Sequence, residues 1–463
     1  MAEYLTTFQN HAQYQAFTGT SAYIRPNVSL CQLEEEVHYG PVLPDMLTFI
    51  AINDCTFSFD RNENPIYYTT DKGETWTALS SGTSTPVISA GSEITWKAEF
   101  TPVATSGIGR FSSSGSFNAK GTPMSLLYGE NIANKDSLAD KEQAFRSLFS
   151  GCTGLVSAKH LSLPATTLAT YCYSYMFYGC TNLTAAPELP ATTLVTSCYG
   201  YMFRGCTSLA TAPELPATAL ASSCYSYMFQ GCTSLTTAQE LPATTLATSC
   251  YSNMFNGCTS LTIAPELPAT TLANYCYGGM FQGCTSLTAA QMLPTNITMS
   301  NISYMFNNCT SLASVADLTI ECSETSGNLQ AMFRNCSALT DASNITLKMS
   351  YVFCPEMFYG CTSLQKSPII DASFQYSTAV PSTNLPGSSM FYNCSALTQI
   401  TYFGTTLGCS RAGVERDGYS DAWVYNVAPT GTFIKKAGVT ITYKGSSACG
   451  SNTIPCNWTV VEQ

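Results

Sequence analysis

Twenty-two cysteines are the first residues here that could do chemistry. Most fall into two columns. One is Cys152, Cys180, Cys206, Cys232, Cys258, Cys284, Cys309, Cys336, Cys361 and Cys394; the other is Cys172, Cys198, Cys224, Cys250 and Cys276. A zinc site needs thiols at short spacing, such as C-x2-C, and the chain has none. Disulfide pairing of the columns is also disfavoured. After Cys276 the second column continues as Ile302, whereas the first keeps Cys309. Loss of one partner would orphan the other. Both columns therefore read as buried thiols, small apolar fillers of a crowded interior, in a chain assembled in a reducing compartment. Cys449 and Cys456 are spaced for a small loop disulfide.

Carboxylates form a third column, Glu188, Glu214, Glu240 and Glu266, which ends at Met292. Paired carboxylates about 5 Å apart serve retaining glycosidases. Acid and base roles need two different environments, however, and four equivalent glutamates supply only one. In water each neighbouring pair repels by only about 1 kcal/mol. The column reads as a solvated acidic edge, with a strip for cations or a basic partner as the sharper alternative. The three histidines, His11, His38 and His160, sit in no His/Cys/Asp constellation, and no H-E-x-x-H, G-x-S-x-G or P-loop is present. The expectation is no catalysis, no metal and no cofactor.

Tyrosines make two further rows. Tyr173, Tyr199, Tyr225, Tyr251 and Tyr277 have core spacing. Tyr175, Tyr201 and Tyr227, with Tyr304, fall on the opposite face and are expected to be exposed, where rings suit sugars or protein partners.

All these columns come from one repeat. Its anchor, a hydrophobic pair, any residue, Gly or Asn, then Cys, runs from LFSGC at Cys152 and MFYGC at Cys180 to Cys394 in ten copies. The steps are 28, 26, 26, 26, 26, 25, 27, 25 and 33 residues. Such a period marks a stacked repeat architecture. In CYSYMFQGC, Cys224, Tyr225, Met228, Phe229 and Cys232 follow i, i+1, i+4, i+5, i+8, which predicts one face of a short helix with Gly231 near its end. The other face, Ser226, Tyr227 and Gln230, is expected to be unpacked; equivalents of Gln230 are Tyr178, Arg204, Asn256, Gln282, Asn307 and Arg334. In LTTAQEL, Leu235, Ala238 and Leu241 predict a strand of three or four residues. Pro187, Pro213 and Pro265 should stop it, since proline cannot donate in a ladder.

These residues resemble leucine-rich repeats of the BspA-like type, over about residues 140–400, with Met-Phe for Ala-Phe and Leu-Pro for Ile-Pro. The resemblance implies a curved parallel sheet backed by short helices, used for adhesion or recognition.

The chain is 45% hydrophobic and 11% charged, about half the usual charged share. Its formal net charge of −11, with no basic run, argues against nucleic acid and against an anionic membrane surface. The start, MAEYLTTFQNHAQYQAF, lacks the basic and apolar regions of a signal peptide, and no run of about 18 apolar residues would span a bilayer. A particle assembled in the cytosol and released by lysis fits these features.

Residues 46–130 read as a small β-sandwich. Thr69-Thr70-Asp71-Lys72-Gly73-Glu74-Thr75-Trp76 matches the Asp-box pattern: Asp71 satisfies turn amides, Gly73 takes positive φ and Trp76 packs beneath. Sialidases carry several such boxes and an arginine cluster; one box with few arginines reads as a hairpin. Residues 1–45 read as an arm ordered by what it binds, with Glu35, Glu36, Val37, His38 and Tyr39 as its anchor. The NHAQY start, this EEVHY stretch and the ending Ala422-Trp423-Val424-Tyr425-Asn426 with Gly431-Thr432-Phe433 resemble fibre-like proteins of crAss-like gut bacteriophages. That resemblance implies a homo-oligomeric virion fibre, dimer or trimer, docked by its N-terminus on capsid or other virion proteins. Its repeats would face a host-surface glycan or protein. The expected fold is mainly β with short helices: an arm, a small sandwich, a leucine-rich-repeat solenoid of about ten coils over 131–405, and a C-terminal cap over 406–463.

Overall fold

The computed structural model describes residues 45–60, 65–102, 107–290, 296–298, 302–322, 329–349, 354–372, 388–407, 423–443 and 454–463. The predicted arm, with Glu35, Glu36, Val37, His38 and Tyr39, lies outside these residues, as do Met292 and Cys449.

The chain is mainly β. Strands β1 (Thr48–Ala51), β2 (Phe57–Asp60), β3 (Ile66–Thr69), β4 (Thr77–Leu79), β5 (Glu93–Lys97), β6 (Arg110–Ser113), β7 (Phe117–Gly121) and β8 (Leu155–Leu161) open it, with helix α1 (Ser125–Tyr128) between β7 and β8. They form a six-stranded sheet, β4-β3-β5-β1-β7-β8, and a two-stranded ribbon, β2-β6. Alternation drives the pairing: Phe57, Phe59, Ile94 and Trp96 point inward at 0–2% exposure while Ser58 and Thr95 point out. Strand β8 already belongs to the first repeats and pairs in parallel with β7. Phe111 stacks 5.8 Å from Phe149, so the aromatic core runs on into the repeats without a break.

The Asp-box hairpin forms between β3 and β4. The Asp71 carboxylate accepts from Thr69 Oγ1 at 2.6 Å, from the Thr75 amide at 3.0 Å and from Thr75 Oγ1. Both Lys72 and Gly73 have positive φ, 60° and 94°. Trp76 is half-buried, with Lys97 Nζ 3.9 Å above its ring.

The predicted repeat helix is not formed. Among the described residues α1 is the only α-helix. In its place each repeat carries a run of consecutive turns with a left-handed residue every fourth position: Ser223 (φ 55°), Tyr227 (φ 57°) and Gly231 (φ 72°) in one repeat. The amides alternate. Cys224, Ser226, Met228, Gln230 and Cys232 donate three residues back within the repeat, at 3.0–3.3 Å. Ser223, Tyr225, Tyr227, Phe229 and Gly231 donate instead to Thr248, Cys250, Ser252, Met254 and Asn256 of the next repeat, at 2.8–3.0 Å. A helix would spend every amide internally and leave the repeats joined by packing alone. The spacing i, i+1, i+4, i+5, i+8 has a period of four. A helix would rotate that stripe by about 40° at each step, and the left-handed residue cancels this drift.

The predicted strand is also shorter than expected in the proline-bearing repeats. There the parallel ladder shrinks to single bridges, Thr211↔Thr237, Thr237↔Ile263 and Ile263↔Ala289, because the A-P-E-L-P segments lack the amides to extend it. Leu235 and Leu241 are buried and Ala238 is half-buried against them. Full strands appear where prolines give way to β-branched residues. The C-terminal half carries β9 (Ala289–Ala290), β10 (Asn296–Thr298), β11 (Ser314–Val315), β12 (Leu318–Cys322), β13 (Ile345–Met349), β14 (Lys366–Ala372), β15 (Gln399–Tyr402), β16 (Thr406–Leu407), β17 (Thr432–Lys435), β18 (Thr442–Tyr443) and β19 (Thr459–Glu462). Seven of these form one parallel sheet, β10-β12-β13-β14-β15-β17-β19. Pro368 sits at the bulge between β14 and β15. The turn run crosses into the predicted cap, since Phe391 and Asn393 donate to Trp423 and Tyr425.

Behind the turns runs a phenylalanine ladder, Phe149, Phe177, Phe203, Phe229, Phe255 and onward to Phe391, with ring centroids 5.3–5.7 Å apart. The first cysteine column stands beside it as buried thiols. These thiols do more than fill space. Cys206 donates to Phe177 O, Cys232 to Phe203 O and Cys258 to Phe229 O, each at 3.1 Å, and the pattern extends from Cys180 to Cys394. Each Phe carbonyl from Phe149 to Phe358 thus receives an amide from its own repeat and a thiol from the next. The second column is buried as well, and neither forms disulfides. Burial pushes Cys172 and Cys224 up to about 12.

Candidate functional site

The four-residue rhythm of the turns builds a groove. Each turn run has a first left-handed residue, a floor residue three positions later and a second left-handed residue one further on. The first positions make one rim: Tyr171, Ser197, Ser223, Ser249 and Tyr275. Ser174, Gly200, Ser226 and Ser252 make the floor. Tyr175, Tyr201 and Tyr227 make the opposite rim. The groove encloses about 740 Å³ and takes residues from six successive repeats.

Small floor residues are what open it. Arg146 occupies the floor position of the first repeat, as their matching amide bonds show (Ser147 to Ser174 O, Tyr175 to Gly200 O), and it closes that end. Its guanidinium lies 5.8 Å from the Tyr171 ring centroid and 5.6 Å from that of Tyr175, and donates to Gln143 Oε1 at 2.6 Å. Of the groove-lining residues Arg146 alone is charged. Floor hydroxyls are engaged with the backbone: Ser174 donates to Gly200 O at 3.0 Å and Ser226 to Ser252 O at 3.3 Å.

Tyr175, Tyr201 and Tyr227 are half-buried rather than exposed. Each ring lies flat on the next, with centroids 4.5 and 4.7 Å apart and planes within 7°. The faces between them are therefore used on one another, while all three residues line the groove. Burial, and then the neighbouring Tyr175 and Tyr227 phenols, push the Tyr201 hydroxyl up to about 12. The same packing reaches positions expected to be bare. Ser226 is 5% exposed, Asn256 Nδ2 reaches Gln282 Oε1 at 3.4 Å, and Arg334 pairs with Glu356 at 2.6 Å. The inner row, Tyr173, Tyr199, Tyr225, Tyr251 and Tyr277, is buried at 0–1%.

Glu188, Glu214, Glu240 and Glu266 are exposed and do not line the groove. The structure separates the two predicted binding rows: the tyrosines border the groove and the glutamates follow the bridge residues. The serine rim and the floor were not singled out from sequence. Their signal is a small residue three positions after each left-handed one. Among the described residues no cluster of three or more His, Cys, Asp or Glu is placed to hold a metal ion. Nor is any helix long and apolar enough to cross a membrane. His160 lies exposed in β8, opposite Lys120.

The profile of the BspA type leucine rich repeat region matches six copies, over residues 145–262, 213–340 and 252–380, just over half of the chain. No curated protein matches. A solved leucine-rich cell surface protein from Faecalibacterium prausnitzii is similar at 18% identity and a TM-score of 0.29, covering 56% of this chain and 75% of that one. By the profile match, the chain belongs to the BspA-type leucine-rich repeat family.

Proposed function

We propose that this chain is a non-enzymatic attachment protein, a leucine-rich-repeat solenoid that presents the tyrosine- and serine-rimmed groove to a host-surface glycan or protein. The observation that carries the reading is the groove itself, lined by residues from six successive repeats. Its lining holds no carboxylate, histidine or thiol to act as acid, base or nucleophile. Binding is what such a lining can do.

The surface it decorates is, in this reading, a bacteriophage virion, with a head fibre favoured over a tail fibre. Residues 1–45 would dock on capsid or other virion proteins, with Glu35, Glu36, Val37, His38 and Tyr39 as the anchor. The fibre would assemble in the host cytoplasm as a homodimer or homotrimer and use neither nucleic acid nor membrane as a partner. The resemblance of both ends of the sequence to phage fibre-like proteins supports this placement. Several weak grooves on one particle would also gain from multivalency. A bacterial cell-surface adhesin of BspA type is an equally supported second reading, because family membership favours it directly.

Mass spectrometry of purified particles, with immunogold labelling by antibody against residues 150–400, separates the two. Gold on the particle establishes the fibre and locates it on head or tail. A particle free of the protein, with antibody labelling on intact bacteria, establishes the adhesin.

A further inference from the structure

Given the attachment reading, the groove's dimensions and chemistry narrow its occupant. We propose that it binds an extended oligosaccharide of about four sugar units running along the repeat stack, with one acidic sugar seated at Arg146. From Tyr171 to Tyr275 the groove crosses four repeat steps, about 19 Å at ~4.8 Å per step.

Three observations select this ligand. First, the wall repeats every 4.5–4.7 Å in its tyrosines. An extended peptide advances ~3.3 Å per residue, so successive side chains miss the wall's step and only every third one, two repeats on, regains it. A pyranose unit in an extended glycan advances by nearly one wall step, so each sugar meets equivalent groups. Second, the wall offers hydroxyls along its length and exposed rings at its two ends, Tyr171 and Tyr275. Tyr201 and Tyr227 line one side, and Ser223 and Ser249 the other. Such a lining matches a polyol. Third, charge is confined to one end. Arg146 gives the groove a direction and a seat for a single carboxylate. A chain of formal charge −11 would repel a densely anionic polymer, so the rest of the ligand is neutral.

The test uses the full-length protein on an array of neutral and uronic-acid-ended oligosaccharides, from disaccharides to octasaccharides, beside extended peptides. Binding should rise with length to about the tetrasaccharide and then level, as the ~4.8 Å step requires. Gly200→Arg is the blocking variant. Arginine already occupies this column at Arg146, and a side chain started at Gly200 meets nothing closer than Ser223 O at 3.4 Å. It should abolish glycan binding while the circular dichroism and urea midpoint stay unchanged. Tyr201→Phe and Tyr227→Phe keep the ring ladder and remove one hydroxyl each, and should weaken binding about threefold to tenfold apiece. Arg146→Gln should erase an acidic-over-neutral preference of about 10- to 100-fold.

Binding insensitive to Gly200→Arg in a folded protein overturns the proposal, as does absence of binding to any glycan on the array. Peptide binding that Gly200→Arg blocks would overturn it in favour of a protein partner. The attachment reading fails separately. If Gly200→Arg leaves adsorption to host cells intact, attachment stands and the groove is not its site; if the wild-type protein binds no cells, attachment itself fails.

Discussion

The alternating turn run makes a prediction whose sign differs from that of a helix. Ser223 and Ser249 both sit at φ 55°, and both donate their amides to the next repeat at 2.9 Å. A left-handed conformation costs a residue with a Cβ about 1–2 kcal/mol. Glycine escapes that cost but loses about 0.5–1 kcal/mol of extra chain entropy on folding. Ser223→Gly should therefore stabilise by about 0.5–1 kcal/mol, from the difference of these two effects. Ser223→Val moves the other way. A β-branched residue is a genuine outlier at positive φ and should cost about 1–2 kcal/mol beyond serine. The glycine variant should then exceed the valine variant by about 1.5–3 kcal/mol, the sum of the two shifts. In a helix, glycine would instead be worse than serine by about 0.5 kcal/mol and valine near neutral. Equilibrium urea unfolding, followed by far-ultraviolet circular dichroism and tryptophan fluorescence, reads the difference. The paired substitutions at Ser249 provide a replicate. A valine variant as stable as the glycine variant at either position would refute the turn geometry on which the groove depends.

Three further outcomes follow from the packing. Phe229→Ala removes a ring stacked 5.6 Å from both Phe203 and Phe255 and should cost about 3–5 kcal/mol, whereas Glu214→Gln on the exposed row should stay within about 0.5 kcal/mol, both read from urea midpoints. Burial raises Cys232, Cys309 and Cys361 from 9.0 to about 12, which lowers the thiolate fraction near pH 8 about a thousandfold. Iodoacetamide should leave these thiols untouched in the native protein and label them all in urea, as mass spectrometry would show. Because the folded state favours the thiol, the stability they give is held below pH 9 and lost as pH rises towards about 12. Hydrogen bonds from Thr69 and Thr75 hold the Asp71 carboxyl well below its ordinary 3.8. Its contribution is therefore present above that value and lost on acidification below it. The Thr75 amide should exchange with solvent faster in Asp71→Asn at neutral pH than in wild type, and the two should converge in acid.

Sequence spacing identified the interior well. Cys224, Tyr225, Met228, Phe229 and Cys232, chosen by position alone, are all at most 1% exposed. It misassigned the backbone that carries them. Over nine residues a period of four and one of 3.6 place the same side chains inward, and only the sign of φ separates them. That sign was faintly written: Asn253 with Gly257, and Gly279 with Gly283, put residues tolerant of positive φ four apart. The tyrosine rim was visible as a row, but its half-burial was not, since the rings cover one another across repeats. The groove depends on what is missing from its floor, so it emerges only when Gly200 and Ser226 are seen in line with Arg146. The prolines signalled strand termination correctly. How little ladder survives between them depends on pairing partners 26 residues away, which a single repeat does not reveal.

The amides exported from each turn run also set how the stack would answer a pull. They lie along the stacking direction, so tension applied end to end loads successive repeats one after another rather than together. A repeat that yields releases 26 residues, the separation of its equivalent bonds, or roughly 90 Å of extended chain at ~3.5 Å per residue. Its neighbours keep their own Phe rings, thiol bonds and turns. An end-to-end load would then be absorbed in repeat-sized lengths of released chain, with the rest of the stack still folded.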